Sequence, residues 1–93
     1  MIKRDEICEF IEEWWPDNEI LLADGFEGAF IGVGEQFNQK MAVYDWDKCI
    51  EILMVRDGMV YDDAVDFMDY NVTGAWVGEG TPCFLRRCID TDE

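Results

Sequence analysis

The sequence predicts an α+β fold: one small single domain in which a short antiparallel sheet packs against about three helices, in the order α-βββ-αα-β. Three observations predict it. Apolar residues recur at helical spacing in three segments, short apolar runs bounded by turn residues lie between them, and the two patterns come in blocks. Ninety-three residues, 49% apolar and 14% aromatic, suffice for one core spanning 1–93 without metal or cross-links, and they argue against disorder.

The first helix is expected over 4–15. Ile7, Ile11 and Trp14 fall at i, i+4, i+7, Phe10 widens that stripe, and Asp5, Glu9 and Glu12 make the opposite face. Asp5 and Glu6 suit the positive end of the helix dipole, and Pro16 ends the helix by pushing residue 15 out of αR geometry. The run 19–23 (Glu-Ile-Leu-Leu-Ala) reads as a buried strand closed by the Asp24-Gly25 turn. Segments 29–34 and 40–44 read as two more strands, joined by the polar stretch Glu35 to Gln39, and three short strands in succession favour an antiparallel meander.

Helical spacing returns over 45–56. Asp45 is a good N-cap, Trp46, Cys49, Ile50 and Leu53 share one face, and Gly58 sits where a C-cap belongs. A third helix, 61–70, turns Tyr61, Ala64, Val65 and Met68 inward. The runs 74–77 and 83–85, separated by Gly78, Gly80 and Pro82, read as a hairpin or an edge strand. Trp14, Trp46 and Trp76 are assigned to the core, and Trp15 is left open between core and surface. Residues 1–3 and 89–93 are expected to fray.

Charge narrows the function classes. Twenty-two acidic against seven basic residues give a net charge of −15, which repels phosphate backbones and anionic bilayers. No direct nucleic-acid or membrane partner is expected; a basic protein surface is. Lys3, Arg4, Asp5 and Glu6 stand where a secretory signal needs an apolar core, so a cytoplasmic location is expected, without disulfides. Cys8, Cys49, Cys83 and Cys88 then read as buried or nearly buried thiols.

The chain reads as non-enzymatic. Histidine and serine are absent, which removes the commonest general base and the Ser-His and Cys-His nucleophiles. Carboxylates are too abundant for any pair to stand out. No metal or cofactor is expected. Cys83 and Cys88 lack a second ligand pair, Asp57-Gly58 and Asp62-Asp63 do not reproduce a calcium loop, and Glu27 to Gly34 (EGAFIGVG) lacks the order of a phosphate-binding loop.

One pattern points toward a partner. Asp62, Asp66 and Asp69 recur at i, i+4, i+7 with Asp63 beside them, and no lysine or arginine lies between 57 and 85. Aspartate is a weak helix former and like charges at i, i+4 oppose each other by about 0.2–0.5 kcal/mol per pair. Stability alone favours Glu–Lys pairs there, so a repulsive stripe suggests a cationic partner, although a solvated face explains it too. Glu9, Glu12 and Glu13 repeat the pattern on the first helix. Trp15, Phe67 and Tyr70 lie beside the apolar stripes, where aromatics next to acids can anchor an interface.

The segments YDDAVDFMDYNVTGAWVGEGTPCFL (61–85), DWDKCIEILMVRDG (45–58) and ILLADGFEGAFIGVG (20–34) resemble a group of small acidic proteins encoded by bacteriophages and occasionally by bacteria. The resemblance covers most of the chain and brings no activity with it. It implies a phage-type protein made inside a bacterial host cell, with host enzymes and defence systems as natural targets. The expectation is an acidic, non-enzymatic inhibitor that occludes a basic, nucleic-acid-binding surface of such a protein. The alternative is an accessory or assembly protein that binds or homodimerises through an apolar patch, with acidity serving solubility.

Overall fold

The computed structural model describes residues 3–72 and 80–88. The expectations for residues 1–2, for the run 74–77 with Trp76, and for 89–93 lie outside the described residues.

Helix α1 runs Arg4–Trp14 and buries Ile7 and Ile11, as the stripe requires. The Lys3 N–H donates to Glu6 Oε1 at 2.9 Å, satisfying one of the donors that a helix start leaves open. Trp14 departs from expectation: it is 63% exposed. It is the last helical residue, and at Trp15 the backbone leaves helical geometry (φ −136°, ψ 61°). Trp15 turns half inward instead, edge-on to Phe10 at 5.6 Å.

The run 19–23 is not a strand: Ile20 to Ala23 are half-buried and Glu19 is exposed. Ile20, Leu22 and Ala23 pack on the core, while the Leu21 N–H reaches the Gly80 carbonyl (3.2 Å) and the Ala23 N–H reaches the Tyr44 hydroxyl oxygen (2.9 Å). Isolated hydrogen bonds of this kind satisfy the backbone without a ladder. A single 3₁₀ turn, Glu27–Ala29, then leads into the sheet.

Strands β1 (Phe30–Gln36) and β2 (Gln39–Asp45) form an antiparallel hairpin, with a bulge where the register passes from Phe30↔Tyr44 to Gly32↔Val43. Strand β3 (Cys83–Leu85) pairs with the other edge of β2, and this pairing is parallel, from Val43↔Cys83 to Asp45↔Leu85. The sheet is therefore mixed, in the order β1-β2-β3, where a purely antiparallel meander was expected. The connection explains the change: the chain leaves the end of β2 into helices and returns through a crossover, which delivers the next strand in the same direction.

Helix α2 (Trp46–Arg56) buries Trp46, Cys49, Ile50 and Leu53. Asp45 caps it: Oδ1 accepts from the N–H groups of Asp47 (3.0 Å) and Lys48 (3.3 Å). The second oxygen, Oδ2, accepts from Arg87 Nη2 at 3.1 Å, so the buried carboxylate also ties the chain beyond β3 to the start of α2. Gly58 takes φ +70°, letting the Met59 N–H return to the Leu53 carbonyl. Arg56 donates to the Gly25 carbonyl at 2.7 Å and lies 5.6 Å from the Phe26 ring centre.

Helix α3 (Tyr61–Phe67) continues into a π-helical turn, Met68–Val72. Ala64 and Met68 are fully buried and Val65 half-buried, but Tyr61 is 53% exposed, a correction to its inward assignment. It opens the helix, one turn before the stripe meets the core. At the centre Tyr44 is fully buried, stacked on Phe84 (5.5 Å) and edge-on to Phe30 (5.7 Å). Cys49 is buried and Cys8 half-buried, whereas Cys83 and Cys88 are exposed because they sit on and just after an edge strand. All four thiols are free.

Burial pushes the Cys49 thiol up to about 12, with the nearby Asp45 carboxylate adding to the effect. The Tyr44 phenol is raised for the same first reason, loss of solvent. Both groups keep their protons in the folded chain at pH values where the unfolded chain gives them up. Their contribution is therefore complete below about pH 9, the thiol's ordinary value, and is lost as pH rises toward 12. Urea midpoints measured across this window should fall, and the fall should be shallower in Cys49→Val. An identical slope in both proteins would contradict the assignment to Cys49.

Candidate partner-binding face

The exposed side of α3 carries the site suggested by the sequence. Asp62, Asp63, Asp66 and Asp69 are all exposed, and among the described residues none has an ion-pair partner. Four of the chain's cations are engaged elsewhere: Arg4 with Asp24, Lys40 with Glu35, Arg56 with Asp57, and Arg87 with Asp45. Arg86 lies over the Trp46 ring, 4.0 Å from its centre. The hydrogen bond from Arg56 holds the Asp57 carboxyl below its ordinary value.

Two depressions group these acids differently from the 62, 66, 69 stripe. Asp63 and Asp66 line an open depression of about 450 Å³ together with Met59, Phe67, Tyr70 and Asn71. Asp69 lines a different one, with Trp46, Arg86 and the segment leading into β3. Asp69 and Tyr70 both lie in the π-helical turn, and Tyr70 keeps regular helical spacing with Asp63 and Asp66 around the first depression. Asp62 stands exposed in the first turn of α3. The face thus gathers Asp63, Asp66, Phe67 and Tyr70, with Phe67 half-buried and Tyr70 84% exposed.

Glu9, Glu12 and Glu13 are exposed on α1, which does not pack closely against α3 among the described residues. Trp15 is half-buried, and its neighbour Trp14 offers the larger exposed ring. Sequence reasoning missed two features. The Asp45–Arg87 pair joins residues far apart in the chain. Phe37 sits inside a stretch read only as a polar linker, although an aromatic between Gln36 and Asn38 was itself a signal.

Among the described residues no three His, Cys, Asp or Glu side chains come together as a metal-binding group. No helix among them is long and apolar enough to cross a membrane. No family model, curated protein or solved structure matches the chain. The phage-type setting therefore rests on the sequence resemblance alone.

Proposed function

We propose that the chain is a non-enzymatic acidic binding protein whose α3 face docks on a basic surface of another protein. The observation that carries this reading is the placement of Asp63 and Asp66 around one depression with Phe67 and Tyr70, with no cation paired to them among the described residues. Such carboxylates can take the place of backbone phosphates and accept paired hydrogen bonds from arginine forks. The Tyr70 ring beside them offers a face for a guanidinium, and Phe67 an apolar anchor. The mechanism is occlusion of a Lys/Arg-lined groove that otherwise holds DNA or RNA. The resemblance to phage-encoded proteins supports a host or defence enzyme as the owner of that groove.

The test compares two variants of equal net charge, Asp63→Lys/Asp66→Lys and Glu9→Lys/Glu12→Lys. Proteins retained by the immobilised chain at low salt and released by a salt step are identified by mass spectrometry. The purified partner is then titrated with each variant and with a competing oligonucleotide. The α3 variant should bind at least about tenfold more weakly and the α1 variant nearly normally, and the oligonucleotide should compete. Equal weakening by both would reduce the effect to net charge, and indifference to salt would remove the acidic face altogether.

A second reading has its own support. Met54, Val55 and Tyr61, all exposed, line a depression of about 700 Å³ with the buried Ile50. In this reading a partner or a second copy covers these apolar side chains, with Asp47, Lys48, Glu51 and Arg87 also lining the depression. Val55→Glu then abolishes binding or dimerisation, seen by light scattering, while the α3 variant changes little.

A further inference from the structure

The β1–β2 hairpin reverses in two residues, Phe37 and Asn38, between the paired Gln36 and Gln39. Phe37 takes φ +56°, and among the described residues it is the only non-glycine with a positive φ. Two-residue hairpin turns place glycine, asparagine or aspartate where φ is positive, and a bulky aromatic there is conformationally costly. Solvation opposes Phe37 as well. Its ring is 94% exposed, more than any other large apolar side chain among the described residues, and makes no ring contact there. Neither the turn nor the core accounts for phenylalanine at this position.

The surroundings of the tip constrain what it meets. Gln36, Asn38 and Gln39 are exposed and uncharged, and the nearest charges, Glu35 and Lys40, pair with each other at 3.5 Å. The tip is a neutral island on a chain of net charge −15.

We propose that the hairpin tip is a second docking element, with the Phe37 ring inserting into an apolar pocket of a partner protein. The amides of Gln36, Asn38 and Gln39 would hydrogen-bond the pocket's uncharged rim. A single ring on a two-residue turn projects as a knob, and a knob leaves water fully only in a concave site. Phosphate-rich nucleic acid, anionic bilayers and a second copy of the chain are all disfavoured by repulsion. Strain and exposure at one residue are the pattern of a position kept for contact rather than for folding. Unlike docking through α3, this contact is insensitive to salt, so either one stands or fails without the other.

The test places p-benzoyl-phenylalanine at position 37 of the full chain and irradiates it at high salt in lysate of cells that naturally make the protein. The expected result is one cross-linked protein, joined through residues lining an apolar pocket, with the product competed away by unlabelled wild type. Phe37→Asn should compete at least about tenfold less well, and Phe37→Leu nearly as well as wild type. Phe37→Asn should also melt higher, by about 4 °C or more, because asparagine accepts the left-handed turn. That rise separates loss of contact from loss of fold. Products scattered in proportion to protein abundance, no product, or equal competition by Phe37→Asn would overturn the proposal. So would Phe37-dependent binding to phosphatidylcholine vesicles, which would make a bilayer the target.

Discussion

Gly80→Ala is expected to destabilise the domain by on the order of 3 kcal/mol or more, a large share of what so small a fold possesses. Gly80 has φ +83°, and a Cβ built there overlaps the carbonyl oxygen of Glu19. The backbone at 19–21 has little room to retreat, because the Leu21 N–H is bonded to the Gly80 carbonyl at 3.2 Å and Ile20 packs on the core. Left-handed geometry alone costs an alanine about 1–2 kcal/mol, and the overlap adds to it. Gly58 supplies the control. It has φ +70°, but a Cβ there meets nothing within 4 Å, so Gly58→Ala should show the conformational cost alone, about 1 kcal/mol. Urea denaturation of the two variants measures the difference. Equal losses would mean that residues 19 and 80 do not approach each other as described.

Asp45 gives the second large effect. Its side chain is almost fully buried and serves two elements, accepting from the Asp47 and Lys48 N–H groups at one oxygen and from Arg87 at the other. Removing a capping oxygen costs about 1 kcal/mol, and breaking a buried pair by deleting one partner costs about 3–5 kcal/mol where desolvation is complete. Arg87 is partly exposed, so the lower end applies, and Asp45→Ala should lose about 3 kcal/mol. Asp45→Asn keeps an oxygen for the cap but no charge for Arg87, and should lose clearly less. If the two variants match, the cap contributes nothing and the pair with Arg87 accounts for the whole effect.

These two residues also show what the sequence could and could not reveal. Asp45 as a helix cap was legible because the cap and the N–H groups it serves lie within three residues. Its bond to Arg87 was not, since nothing local marks a partner 42 positions away. The strands at 29–34 and 40–44 were legible as apolar runs joined by a polar stretch, and the buried Ile7 and Ile11 of α1 and Trp46, Cys49, Ile50 and Leu53 of α2 from helical period. Residues 19–23 misled because apolarity reports burial, while a strand needs a neighbour that offers a ladder. Trp14 and Tyr61 misled because periodicity says which way a residue points and not whether the core extends that far along the helix. On the acidic face, spacing predicted a stripe of Asp62, Asp66 and Asp69 with Asp63 beside it, and the structure lines one depression with Asp63, Asp66, Phe67 and Tyr70. Asp69 lines another depression, a grouping that spacing along one helix does not reveal.

The parallel pairing of β3 has a consequence for the order of assembly. Its three residues meet a strand that ended some forty positions earlier, so the pairing must bear the entropy of closing a long loop. The β1–β2 hairpin closes locally, so β3 is expected to be the latch that drops last. The same latch is the first part to lift, so amide exchange at Cys83–Leu85 should run ahead of exchange in the hairpin, releasing Phe84 from Tyr44 before the rest of the domain opens.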